Sequence, residues 1–432
     1  MRRAPILAVL VLLTGVFLGA FPASAAPGEL DPGFGVAGKV VTDCAPKNCA
    51  AAAVAVDHTG RIVVGGSVGT DLAVYRYESN GDLDQGFGSG GSGQASEASA
   101  LTVGKDNRIV AAGISGHDVV LLRFKSNGDL DTHFGGGPIP GTVSTAVKGS
   151  SVAVADVELQ SDGGIVVLAT ASFRRFVLLR FASHGALDPS FDHDGRVSFT
   201  FPNVGHDPDS GTDVSLGAGG MAIQANGKIV VAGGLTPECS ASNIPDGLVL
   251  ARVRPDGSLD PSFDGDGRVV TRFKGGDGRA FDVAVQPDGR IVTAGSVRFT
   301  GCGGSSPNDD SLFALTRYEK NGKLDKTFGG DGRVVGSGKG QPYDSFSAVA
   351  VQGDGKIVAG GGRCCTGGGD SDFAVARYLA DGTADQSFGG TGIVTTDLGG
   401  VDFAYGLAIE NDGKIVVAGA TGKKIGLVRY LP

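Results

Sequence analysis

Residues 345–361 read SFSAVAVQGDGKIVAGG, and residues 372–378 read DFAVARY. Two apolar runs flank Asp354-Gly355. Asp-Gly is a preferred pair for a two-residue type I′ hairpin, because both central positions take positive φ. The third run ends in Arg377-Tyr378. A second turn, such as Asn321-Gly322, leads into Leu324-Asp325-Lys326-Thr327-Phe328, and a short β-branched run follows the next glycines. The unit therefore predicts four short antiparallel strands: a, b and c in order, with d after the phenylalanine.

The unit recurs along the chain. Leu-Asp-x-x-Phe starts at Leu30, Leu83, Leu130, Leu187, Leu259 and Leu324, and Ala384 heads a seventh copy, at spacings of 53, 47, 57, 72, 65 and 60. One four-stranded sheet cannot bury both its faces, whereas seven stacked radially can. The expected fold is all-β: a seven-bladed β-propeller of four-stranded antiparallel blades. Gly38–Thr42 reads as a strand d without a blade before it, and the run ending at Tyr430 as a strand c without a d after it. Pairing the N-terminal strand with the C-terminal blade closes the ring and leaves no open edge. Two outer strands look weak, one at Gly91-Ser92-Gly93-Gln94 and one near Pro138 and Pro140. The blades that receive them are expected to be the most frayed.

Composition agrees. The chain has 432 residues, 75 of them Gly and none Trp. Each interior Gly costs a helix about 1 kcal/mol, which argues against a helical protein. No Gly-X-Y period points to collagen. A hydrophobic content of 41% supplies a core, and a net charge of −9 argues against nucleic-acid partners. Arg2 and Arg3 precede an apolar run from Ala4 to Phe21, and Ala23-Ser24-Ala25 offers small residues for cleavage. Residues 1–25 thus read as a signal peptide and 26–432 as one propeller domain. No later apolar run reaches the roughly 18 residues that span a bilayer. A monomer secreted to the exterior or cell envelope is expected, with no membrane span after signal cleavage.

The unit Leu-Asp-x-x-Phe-Gly-x-x-Gly-x-Val, then Ala-Val-Gln-x-Asp-Gly-Lys-Ile-Val-Val-Ala-Gly, then Phe-Ala-x-x-Arg-Tyr resembles the delta-60 repeat of bacterial exported and surface proteins. The resemblance covers essentially Leu30–Leu431. It implies a propeller and export, and no shared activity.

In such a blade the a–b and c–d turns share one face, here short and uniform. The b–c and d–a connections form the other, with long members at Asn203–Leu216, Gly234–Asp246, Ser296–Ser311 and Gly361–Asp372. A scaffold with one variable face usually carries its function there. All six cysteines fall on that face: Cys44, Cys49, Cys239, Cys302, Cys364 and Cys365. An even count in an exported chain favours disulfides. Cys44 and Cys49 flank a four-residue loop and are the expected pair; an inter-blade bridge among the others stays open. Their spacing matches no zinc pattern.

Arg76, Arg123, Arg180, Arg252, Arg317, Arg377 and Arg429 end the seven c strands, and Asp31, Asp84, Asp131, Asp188, Asp260, Asp325 and Asp385 follow the motif leucines or alanine. One of each per blade reads as a structural ion pair fixing the c–d turn, with bidentate geometry available. Asp192-His193-Asp194-Gly195 and Asp264-Gly265-Asp266-Gly267 resemble oxygen-rich calcium loops but fall on a turn other repeats build with Gly. Asp207, Asp209 and Asp213 alternate along a long loop and are weak calcium candidates. No other cofactor is indicated. No paired histidines, Gly-x-Ser-x-Gly elbow or phosphate loop occurs. The absence of Trp removes the commonest sugar-stacking side chain, leaving Tyr343 and Tyr405 near the variable face. The reading is a non-enzymatic binding or scaffold module for a protein or extracellular polymer. The alternatives are an extracellular hydrolase or lyase with acids at the channel mouth, and a calcium-stabilised structural module.

Overall fold

The computed structural model describes residues 26–432 apart from 89–90, 203, 208–211, 238–246, 275, 300–309, 337–343 and 365–369. The described residues hold 28 strands and no helix. They form seven antiparallel blades of four strands around a central channel, with Gly205–Asp207 adding a fifth strand to blade 4. Blade 6 comprises Ser345–Val351, Ile357–Cys364, Ser371–Tyr378 and Ile393–Thr396. Its register runs Val351↔Ile357 across the hairpin and Ile357↔Tyr378 onto strand c.

Blade 7 closes the ring as its sequence predicts. Asp402–Ile409, Ile415–Thr421 and Lys424–Tyr430 are completed by Lys39–Thr42, paired Lys39↔Val428 through Thr42↔Ile425. Closure continues beyond the strand. The Gly28 N–H donates to Leu431 O, the Leu431 N–H to Glu29 O, and the Asp31 N–H to Arg429 O. The c–d turn that is continuous in other blades is here assembled from both ends of the chain.

The core lies between blades, not within them. Seven apolar clusters each join two neighbours, as Phe373 and Val375 of blade 6 join Ile415 and Val417 of blade 7. The phenylalanine of each Leu-Asp-x-x-Phe motif enters one interface: Phe34, Phe87, Phe134, Phe191, Phe263, Phe328 and Phe388. Burying one aromatic ring contributes about 1.5–3 kcal/mol. Hydroxyl bonds cross three interfaces, at Thr42–Tyr77, Thr271–Tyr318 and Thr396–Tyr430, 2.6–2.8 Å.

Strand a carries a β-bulge in every blade. The bulge presses the strand-a backbone onto strand b, and in six blades glycine occupies the contact, with Ala169 in its place in blade 3. A Cβ on Gly361 would lie 1.9 Å from Ser345 O, and one on Gly66 1.9 Å from Ala50 O.

The two weak outer strands differ. The first fits the expectation: blade 1 receives only Ala73↔Gly91 and Leu72↔Ser92 before the register breaks to Asp71↔Ser96, and Gly91–Val103 then runs on as strand a of blade 2. Blades 1 and 2 therefore share one seven-stranded sheet. Pro138 and Pro140 lie ahead of Thr142–Ala146, which pairs along its whole length with Asp118–Leu122. Because the prolines precede the strand, its ladder loses no donor.

Candidate functional site

On the uniform face the seven arginines and seven aspartates pair in turn order. The Nε groups of Arg76, Arg123, Arg180, Arg252, Arg317, Arg377 and Arg429 donate to Oδ2 of Asp84, Asp131, Asp188, Asp260, Asp325, Asp385 and Asp31 at 2.7–2.9 Å. The geometry differs from a fork across two oxygens. In Arg76, Arg123 and Arg429 the Nη2 group returns to the same Oδ2, while Oδ1 of each aspartate accepts the N–H two residues on. That capping bond recurs in all seven turns. Each guanidinium lies 4.4–4.8 Å over its motif phenylalanine. In six blades Nη1 also donates to a turn carbonyl of the next blade: Ser79, Ser126, Ser183, Pro255, Lys320 and Ala380. Burial alone would raise these aspartates, but turn hydrogen bonds and the arginine charge outweigh it and hold all seven below the usual carboxylate range. The motif arginines and aspartates of this face are thus engaged with one another and with the next blade.

The channel encloses about 460 Å³ and is lined by strand a of every blade, mostly by Ala, Gly, Val and Ser. Three acids interrupt that lining: Asp156, Glu158 and Asp282. Asp156 Oδ1 accepts from Val157 N at 2.7 Å, and its Oδ2 from Met221 N of blade 4 at 2.8 Å. Asp282 repeats this, accepting from Val283 N and, at 2.7 Å, from Val349 N of blade 6. Each carboxylate thus bridges neighbouring blades at the inner ring. Burial pushes Asp282 up to about 7, with the Asp156 charge adding to it. Asp156 is raised by burial, and Glu158 by burial and by the charges of Asp156 and Asp282. Glu158 also lines a cavity of about 1040 Å³ at the uniform-face mouth, with Arg108, Gln160 and Gln224. Asp156 and Asp282 stand just after the bulge, where blades 6 and 7 carry Ala348 and Gly406.

On the variable face Cys44 and Cys49 form a disulfide, S–S 2.05 Å. The Cys49 N–H donates to Lys423 O of blade 7, so the bridged loop sits at the closing interface. Cys364 ends strand b of blade 6, its N–H on Asp344 Oδ1. Cys239, Cys302, Cys365 and Tyr343 lie outside the described residues, as do Asp209 and the side chains of Asp207 and Asp213. Asp192, His193 and Asp264 take positive φ in the turns where other repeats place Gly. Asp194 and Asp266 cap the N–H of Arg196 and Arg268 there. Tyr405 is half-exposed in the channel, its ring 5.1 Å from Phe403. The structure also brings together a trio that sequence reading missed: Asp372, Asp397 and Asp402, with ligand oxygens within 4.8 Å of one another. They come from strand c of blade 6, the end of its strand d, and the start of blade 7.

Residues 59–87, 104–134, 160–191, 224–263, 286–328 and 352–388 match the family described as a domain of unknown function (DUF5122) beta-propeller. Each match runs from one a–b hairpin to the next motif phenylalanine, which is one blade apiece for blades 1 to 6. The corresponding unit of blade 7 is divided between the two ends of the chain. No curated protein matches. Among solved structures, polysaccharide lyase Uly1 is 13% identical, with a TM-score of 0.49 over 90% of each chain. A second polysaccharide lyase, an ulvan lyase, has the same identity and score over 89% of this chain and 94% of its own. The extracellular domain of a putative one-component system from B. thetaiotaomicron is 11% identical, with a TM-score of 0.47; the chain covers 40% of its length. Likenesses at this level bear on no activity. Among the described residues no helix is long and apolar enough to cross a membrane.

Proposed function

We propose that this β-propeller, built of repeats of the DUF5122 type, is an exported binding or scaffold module that engages a protein or extracellular polymer through its variable face. The observation that carries this reading is the asymmetry of the two rims. The uniform rim spends its charged side chains on one another and on the next blade. The variable rim bears the long connections and an acidic trio with no cationic partner of equal charge. In the channel, Asp156 and Asp282 are engaged by backbone N–H groups, which fits a structural inner ring better than a reacting one. The disulfide fits an oxidising compartment, as does the leader-like segment 1–25. Screening the 26–432 protein against envelope extracts and polymer arrays tests the reading. Binding should fall when 238–246 and 300–309 are replaced by short turns, and binding indifferent to those changes would refute it.

A second reading, an extracellular hydrolase or lyase, rests on Glu158. Its raised carboxyl faces the uniform-face mouth and would hold a proton near neutrality, as a general acid must. Turnover of any polymer in that screen, abolished by Glu158→Gln, would favour it.

A further inference from the structure

We propose that Asp372, Asp397 and Asp402 form a binding site for one hard divalent cation, calcium by chemistry, where blades 6 and 7 meet on the variable face. The three carboxylates come from separate strand ends, so the site exists only when blade 7 is docked on blade 6. Their oxygens lie within 4.8 Å of one another. Oxygens bound to a common Ca²⁺ at 2.3–2.6 Å stand at most about 5 Å apart.

A second observation is the state of Asp402. It is fully buried. Its Oδ2 accepts the Leu398 N–H at 2.5 Å and the Thr421 hydroxyl also bonds this carboxylate, while Oδ1 is buried with no partner of good geometry. A buried carboxylate oxygen left bare is destabilising, and a coordinated cation removes that cost. Charge points the same way. One cation bears on the site: Lys39, whose Nζ donates to Asp397 O at 2.8 Å and whose charge reaches Asp372. Three carboxylates against one ammonium leave two negative charges, and Asp370 adds to the same field. Asp397 is exposed, so water can complete the coordination shell. With three protein carboxylates, affinity belongs with extracellular calcium modules, at about 10⁻⁴–10⁻³ M.

The test is calorimetric titration of the chelator-treated 26–432 protein with CaCl₂, in parallel with melting curves. One ion should bind in the sub-millimolar to millimolar range, with a rise in Tm at saturation and a smaller response to Mg²⁺. Asp397→Asn, at the exposed ligand, should weaken binding at least tenfold while leaving the calcium-free Tm intact. Asp372→Asn should behave alike, which keeps the test open if Asp402→Asn fails to fold. The site is wrong if no calcium binds. It is equally wrong if binding survives both variants and disappears on changing Asp207 and Asp209 to Asn.

Discussion

Arg317 holds one unit of the uniform face together. It is 2% exposed and its partner Asp325 1%. It binds Asp325, stacks on Phe328 and reaches Ala380 O of blade 6. Removing Arg317 leaves Asp325 with Arg290 at 3.4 Å and the Thr327 cap, so Arg317→Ala should fall at the low end of the loss for a broken buried pair, about 3 kcal/mol by urea denaturation. Arg317→Lys keeps the charge but not the fork, and should fall between that variant and the natural protein. Asp282 has the opposite electrostatic sign. Its pKa of about 7 lies above its ordinary value of 3.8, so the folded protein keeps a proton that the unfolded chain releases. Its contribution to stability is full at low pH and declines as pH rises from about 4 to about 7. The seven turn aspartates, held low, contribute stability above their ordinary range and lose it as pH falls below about 4. Asp282→Asn should therefore shrink the fall in Tm between pH 5 and pH 8. An unchanged profile would show that Glu158 and Asp156 dominate that limb.

At the scale of the element, the bulged strand and its glycine partner form one device. Gly361→Ala drives a methyl onto Ser345 O and should destabilise by about 1–3 kcal/mol. Gly360→Ala meets side chains alone, Leu407 Cδ1 the nearest at 3.1 Å, and should cost less; equal losses in urea melts would contradict the bulge explanation. Strands and hairpins were legible in the sequence because the unit recurs seven times, so Asp354-Gly355 and Arg377-Tyr378 are each read against six copies. The continuous strand 91–103 was not. A Gly-Ser-rich run carries no β signal of its own, and its order comes from pairing on both sides. The channel acids were hidden for a geometric reason: a bulge shifts which residue faces inward by one place. Asp156 and Asp282 therefore look like ordinary strand polar residues until the register is known. Asp372, Asp397 and Asp402 lie on three elements of two blades, a proximity that no local motif encodes.

At the scale of the whole molecule, the ring depends on residues 28–42. Deleting residues 26–42 removes strand d of blade 7, the Asp31 partner of Arg429 and Phe34 from the interface of blades 7 and 1. Limited proteolysis of that variant should cut first within 402–430, with a lowered Tm. Conversely, a circular permutant that joins Pro432 to Ala26 and opens at Asn226-Gly227 should fold, because Leu431 already bonds Gly28 and Glu29. Failure to fold would mean that the junction requires free ends.

The pairing of Asp31 with Arg429 spans 398 residues. Closing a flexible loop of that length costs about 5 kcal/mol of chain entropy. Once blades 1 to 6 are stacked, little of that cost remains. Ring closure should therefore come late in folding, because Lys39–Thr42 can pair only once Lys424–Tyr430 has been made. Blade 7 should accordingly be the slowest region to gain amide-exchange protection, and the one an unfinished chain always lacks.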